Sequence, residues 1–346
     1  MKCLTSVMAV GFLLLAMPGA AQKKNPEPPA AKPAKEVYEL IREGNISEAL
    51  RLSSDSANAR ESALKRLIEI ADIEMLERQV ALAQSTLDNA EKFLAACDQS
   101  GANIGTLRDP ISGRQSRLRG IKLNDSKDYR GAETELRRAL EISLKIKDAR
   151  LEAGVHNNLG VAIQAQGRLE DAKAEYEAAI RIAVQQRDFF RAGSSSYNLG
   201  NLHIQKNQLP AALDSFKVAE AQFKLASKSL QQAHAILLQA VIQDRMSAPD
   251  PEVIMSFDRA FKMFEQVGDV LSAGRSLYLL GDHLARSQKY AEAAARVERA
   301  IPFFKATQDD VSLQKCYELL ADTYDKTGQK EKAEGYRKSA REKKVN

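Results

Sequence analysis

His156, His203, His234 and His283 are the side chains of this sequence best suited to metal or acid–base chemistry, and no two of them have the spacing that would place both on one ion. His-Glu-x-x-His, Cys-x-x-Cys, a Gly-rich phosphate loop and a Gly-x-Ser-x-Gly elbow are all absent. Carboxylates are plentiful, but they fall where a helical surface meets water, whereas acid–base catalysis needs them enclosed with shifted pKa values. No catalytic residue, metal ligand or cofactor site is therefore expected, and the chain reads as a non-enzyme.

Two other groups of residues invite a chemical reading. Arg108, Arg114, Arg117, Arg119 and Lys122 form the densest basic run, yet they lack the interleaved aromatics of a nucleic-acid surface. A charge run of this kind reads as a solvent-facing helix side, so no nucleic-acid partner is expected. The net charge of +5 is spread through mixed-sign helices. Of the three cysteines, Cys3 lies ahead of the N-terminal apolar run, and Cys97 and Cys316 are too few for a disulfide framework.

The elements that position these residues are set by a repeat. Asn158-Leu159-Gly160 recurs as Asn198-Leu199-Gly200, a period of 40. In the same frame small residues stand at Ala132, Ala172, Ala212, Ala293 and Ala333, with Val253 in the gap. Seven residues after each come Ala139, Ala179, Ala219, Ala260, Ala300 and Ala340, and between them Leu136, Tyr176, Phe216, Phe257 and Val297. Arg337 breaks the large-residue series in the last unit, as a capping repeat would. Positions 0, 4 and 7 share one helix face, and small residues there let a second helix approach. Gly120, Gly160, Gly200 and Gly281 recur in the partner helix, where mid-helix glycine costs up to ~1 kcal/mol against Ala, so each implies a contact with no room for a side chain. Ala90, Leu94 and Cys97 repeat the 0, 4, 7 spacing, and Gly44 with Ala49 marks an earlier turn. About eight hairpins follow, the first truncated, with the one extra residue of the 41-residue interval at Pro249-Asp250-Pro251 and the register of residues 236–257 open. Cys97 then falls at a small-residue core position. It lies some six hairpins from Cys316, beyond the ~7 Å reach of a disulfide when adjacent helices are ~8–10 Å apart.

This pattern resembles the tetratricopeptide repeat, in which Leu-Gly opens the first helix and Ala, aromatic and Ala mark the second. The 40-residue period and the Asn-Leu-Gly triplet resemble the extended repeats of kinesin light chains, Leu-Gly-Asn-repeat adaptors and bacterial secreted repeat proteins. The likeness spans residues 37–346 and is strongest over 118–340. It implies an all-α, right-handed superhelical solenoid whose first helices line a concave groove for a peptide or protein segment. It also implies that the Asn of the triplet hydrogen-bonds ligand backbone, which an amide does by donating and accepting together. The matching residues are Asn158 and Asn198, with Asn157, Tyr197 and Asn201 beside them and Arg117 one repeat earlier. Participation of these amides in helix–helix contacts stays open. Leu118, Leu279 and Leu319 replace the amide elsewhere, with Leu238 or Gln239 in the unit of open register, so the polar stretch is placed in the middle of the array.

Residues 1–21 read as a secretory signal: one charge at Lys2, an apolar run over 7–17, and Gly19-Ala20-Ala21 suited to cleavage after Ala21. An uncleaved anchor is the alternative. Residues 22–35, with Pro26, Pro28, Pro29 and Pro33, read as an extended linker, and 36–346 as the solenoid. No later stretch is long and apolar enough to span a bilayer. The expectation is a secreted or periplasmic scaffold that binds a protein or peptide and works without a cofactor. A sensor for a small ligand or signalling peptide, and an accessory chain of an enzyme complex, are the alternatives; self-association is left open.

Overall fold

The computed structural model describes residues 32–101 and 104–343, so the expected signal and most of the expected linker lie outside the described residues. Sixteen helices and no strand occur among the described residues. They are α1 (Lys32–Arg42), α2 (Ile46–Leu52), α3 (Ala57–Leu76), α4 (Val80–Gln99), α5 (Arg108–Asp125), α6 (Tyr129–Ile146), α7 (Ala149–Ala165) and α8 (Leu169–Gln185). The series continues with α9 (Phe189–Gln205), α10 (Leu209–Leu225), α11 (Ser229–Arg245), α12 (Asp250–Val267), α13 (Val270–Arg286), α14 (Tyr290–Ala306), α15 (Asp310–Lys326) and α16 (Lys330–Glu342). Two compact units divide the chain, residues 1–191 and 192–346, with the boundary early in α9.

The period of 40 has a simple origin. From α7 to α10 every helix is 17 residues and every turn three, so one hairpin with its exit turn takes twice twenty. The turns share one closure. A residue in the left-handed region ends every helix from α3 to α15, at Lys147, Gly167, Arg187, Asn207, Ser227, Gly268 and Gln308 among others. The next N–H then reaches back to a carbonyl of the last turn, as in Asp148 N to Ser143 O (2.9 Å) and Gln208 N to His203 O (2.8 Å). That next residue is often an Asp which caps the following helix: Asp148 accepts from Leu151 N, Asp188 from Arg191 N, Asp269 from Ser272 N and Asp309 from Ser312 N. Before α12 the turn is one residue longer, with Pro249 as N-cap, and this accounts for the 41-residue interval and settles the register of residues 236–257.

The small-residue frame is the buried seam. Ala132, Ala172, Ala212, Val253, Ala293 and Ala333 have no exposed surface. The large residues between them dock on the first-helix glycines of their own hairpin. A Cβ on Gly160 would lie 2.5 Å from Tyr176 Cε1, one on Gly120 2.5 Å from Leu136 Cγ, and one on Gly200 2.8 Å from Phe216 Cε1. A second glycine row, seven residues earlier, was not apparent in the sequence pattern: Gly193 receives Phe223 and Gly274 receives Phe303 and Phe304. Arg337 stays half-exposed and pairs with Asp325 in the last hairpin.

Candidate ligand-binding face

In the first unit, three of the expected site residues sit on first helices, Arg117 on α5 and Asn157 and Asn158 on α7. Both asparagines are half-buried. The Asn158 carbonyl oxygen accepts from Asn124 Nδ2 of α5 at 3.3 Å, while its own Nδ2 is buried with no acceptor. Arg117 is only 3 % exposed, and its guanidinium packs on the backbone of α7: a Cβ on Gly154 would stand 2.6 Å from Arg117 Cζ. The basic run is therefore solvent-facing only in part, at Arg108, Arg119 and Lys122. Arg114 and Arg117 turn inward, and Arg108, Arg119 and Lys122 are engaged by Asp98, Glu135 and Gln84.

Inside the fold Arg117 meets a carboxylate to which the repeat frame does not point. Asp72 of α3, 6 % exposed, stands among three guanidinium groups. Arg114 donates to its Oδ2 from Nε (3.0 Å) and Nη2 (2.7 Å), and also to Asp148 Oδ2 (2.9 Å) and the Pro110 carbonyl (3.2 Å). Asp72 Oδ1 is left to two cations at longer range, Arg117 Nη1 at 3.5 Å and Arg191 Nη2 at 4.0 Å. Arg191, at the start of α9, is tied to Asp188 through both its backbone N–H and its side chain. Arg117 Nε, Arg191 Nε and Arg191 Nη2 are buried without an acceptor.

The electrostatics follow from this division. Burial alone would lower Arg114, but Asp72 and Asp148 outweigh it and its pKa is raised. Burial and the neighbouring Arg191 bring Arg117 down to about 10, against the attraction of Asp72. One guanidinium is thus fully served and two are short of acceptors. Asp72 carried a legible signal, being a carboxylate in register with the buried Leu64, Leu67, Ile68, Ala71 and Met75 of α3. Arg191 did not, since nothing in the repeat frame relates residue 191 to residue 72.

The second unit carries the other expected residues on α9. Asn198 and Asn201 are half-buried. Tyr197 is 4 % exposed, edge-on to Phe216 at 5.2 Å between ring centres, with its hydroxyl buried and unpaired; burial raises its pKa. Farther along, Leu237 and Leu238 are buried on α11, while Leu279 and Leu319 are half-exposed.

The histidines are dispersed into separate polar contacts. His156 Nδ1 lies 2.6 Å from Glu175, His203 Nδ1 2.8 Å from Gln208 Oε1, and His283 Nδ1 2.7 Å from Asp244. His234 lies 3.7 Å from Asp269 and edge-on to Phe264, and burial holds its pKa down to about 4. No cluster of three metal-binding side chains occurs among the described residues, and no described helix is long and apolar enough to cross a membrane. Cys97 and Cys316 are free, buried thiols whose pKa values burial lifts to about 11 and about 12.

No family model matches the sequence, and no curated protein does. Solved structures do resemble the fold. A signal transduction ATPase with numerous domains bearing a tetratricopeptide repeat sensor, from Pyrococcus horikoshii, aligns at TM-score 0.65 and 14% identity over 90% of this chain and 47% of its own. This chain thus spans about half the length of that protein. Aspartyl phosphate phosphatase F from Bacillus subtilis aligns at TM-score 0.54 and 14% identity, covering 95% of this chain and 97% of its own. The apo quorum sensor NprR from B. thuringiensis aligns at 0.52 and 11%, covering 91% and 98%. At these identities the likeness is one of fold: the chain has an all-α helical-repeat fold like that of tetratricopeptide-repeat structures.

Proposed function

We propose that this protein is an extracytoplasmic scaffold that holds a peptide or protein segment on the faces of its first helices. One observation carries the reading: Asn158 Nδ2 and Arg117 Nε, on two expected site residues, are N–H donors lacking acceptors. Donors left unpaired inside a fold are costly, by about 1–3 kcal/mol each, and an incoming chain rich in carbonyl and carboxylate oxygens satisfies them. The extracytoplasmic placement rests on the composition of residues 1–21, with cleavage after Ala21. In this reading the chain performs no catalytic step and needs no cofactor.

Capture from the envelope fraction tests the assignment. Tagged native chain retains a reproducible partner, and the double variant Asn158→Ala with Asn198→Ala loses it; an unchanged set of captured proteins removes the site. N-terminal sequencing of the purified chain checks the export reading, with Gln22 expected first.

A sensor role is the second reading, favoured by two fold neighbours described as a tetratricopeptide repeat sensor and a quorum sensor. A rise in melting temperature with a small-molecule extract, in the absence of any protein partner, would favour it over the scaffold.

A further inference from the structure

Asn-x-Ser/Thr is the acceptor sequence for transfer of a saccharide to an asparagine amide, and the chain contains it as Asn45-Ile46-Ser47 and as Asn124-Asp125-Ser126. The fold treats the two differently. Asn124 is half-buried in the last turn of α5, with its Nδ2 committed to the Asn158 backbone carbonyl (3.3 Å) and its Oδ1 buried. Asn45 is exposed in the turn between α1 and α2, and Ser47 is exposed two residues later.

Asn45 holds the N-cap position of α2 but makes no cap hydrogen bond. An asparagine there ordinarily accepts from the N–H of the second or third helical residue, as Asp128, Asp148, Asp269 and Asp309 do at their own turns. The Asn45 side chain instead donates from Nδ2 to Glu43 Oε2 at 3.3 Å. Glu48, which could have completed a capping box, is held by Arg51. The backbone beneath is fixed. Gly44, at φ +84°, makes the bend, Asn45 N–H donates to Leu40 O at 2.8 Å, and Asn89 Nδ2 to Arg42 O at 3.3 Å. A fixed turn therefore presents an amide that caps nothing, with a carboxylate two residues before it and a hydroxyl two residues after. At the second acceptor sequence the residue two before is Lys122.

We infer that Asn45 is the attachment site of an N-linked saccharide. This rests on the export part of the proposed function, since such acceptors are surface turns of secreted chains. The co-substrate is a saccharide carried on a lipid diphosphate. Asn45 Nδ2 attacks its anomeric carbon, and the new C–N bond forms as the bond from that carbon to the diphosphate oxygen breaks. The amide proton passes to a base of the transferase, and the lipid diphosphate leaves. Glu43 is a positioning residue: by accepting one amide hydrogen it keeps the side chain off the helix end. The Ser47 hydroxyl is the group by which the transferase reads the acceptor.

Intact-mass and peptide mass spectrometry of the full chain, purified from the envelope of the cells that make it, tests this. A saccharide mass is expected on the peptide that contains Asn45 and none on the peptide that contains Asn124. Asn45→Gln and Ser47→Ala should each cut occupancy to below about one tenth of the native level, while Asn124→Gln leaves it unchanged. Glu43→Gln should lower occupancy and Glu43→Asp restore it; equal occupancy in both removes the role given to Glu43. A native chain with no saccharide on Asn45 overturns the proposal, as does a mass excess that Asn45→Gln retains. Should Asn45→Gln accumulate poorly, Ser47→Ala still decides, because it leaves the amide in place. N-terminal sequencing of the same sample separates the two readings. Gln22 first with bare Asn45 leaves export standing and removes this inference alone, Met1 first with bare Asn45 removes both, and a saccharide on a chain that keeps Met1 removes only the cleavage.

Discussion

The two units use the same hairpin frame and fill it differently. In the first, the first helices bury charges: Asp72, Arg114, Arg117 and Arg191 are all less than 10% exposed and tied to one another. In the second, α11 buries an unbroken run from Ala235 to Gln243 dominated by Ile236, Leu237, Leu238, Val241 and Ile242. Apolar burial is indifferent to which neighbour supplies the contact, whereas a buried charge is tolerated only with a specific partner at a specific distance. The repeat frame can therefore be satisfied by composition in one unit but depends on particular pairings in the other.

Breaking the pairing should have the largest effect. Asp72→Ala leaves three buried guanidinium groups around a void, and a loss of about 3–5 kcal/mol is expected in the first unit. Peptide-resolved hydrogen exchange should show faster exchange across α3, α5 and α7 and little change in α11–α16; uniform protection in α3 would mean the cluster is not a structural tie. The counterpart in the second unit is His234, half-buried on α11, where desolvation disfavours the charged ring. Its folded pKa of about 4 lies below the unfolded value of 6.5, so the unfolded chain takes up the proton first. Its contribution is fully present above about pH 6.5 and is lost as pH falls toward 4, an acid destabilisation of about 3 kcal/mol. His234→Gln should flatten the stability profile of α11–α13 in that window. An unchanged slope would place the acid sensitivity elsewhere.

Two glycines sharpen the comparison within the second unit alone. Gly281→Ala drives a methyl into Val297 and to 3.2 Å from the Ala293 carbonyl oxygen, with an expected loss of about 1–3 kcal/mol. Gly335, inside α16, has nothing within 4 Å of where its Cβ would be. Gly335→Ala should stabilise the last hairpin by about 0.5–1 kcal/mol, the difference in helix propensity. Chemical denaturation of the pair, read together, separates glycine as a docking site from glycine as a helix defect.

Much of the repeat was legible because its causes are local. The 0, 4, 7 spacing of Ala172, Tyr176 and Ala179 names a helix face, and Gly160 names the surface that face meets twelve to nineteen residues away. The Pro-Asp-Pro turn declared its own extra residue. The candidate site was legible only in part. Arg117 was singled out by its place one repeat before the asparagines, but the basic run containing it looked solvated, since charge on a helix says nothing about which face it occupies.

Sequence by itself determined the helical hairpins, their 40-residue beat, the buried positions of Ala and Gly, and the core placement of Cys97. Those follow from helix periodicity and side-chain size, which act over one or two turns. Tertiary structure alone decided that Asp72 would meet Arg114, Arg117 and Arg191, residues 42 to 119 positions away. That meeting depends on how the hairpins carrying α3, α5 and the start of α9 stack, a placement that no local pattern encodes.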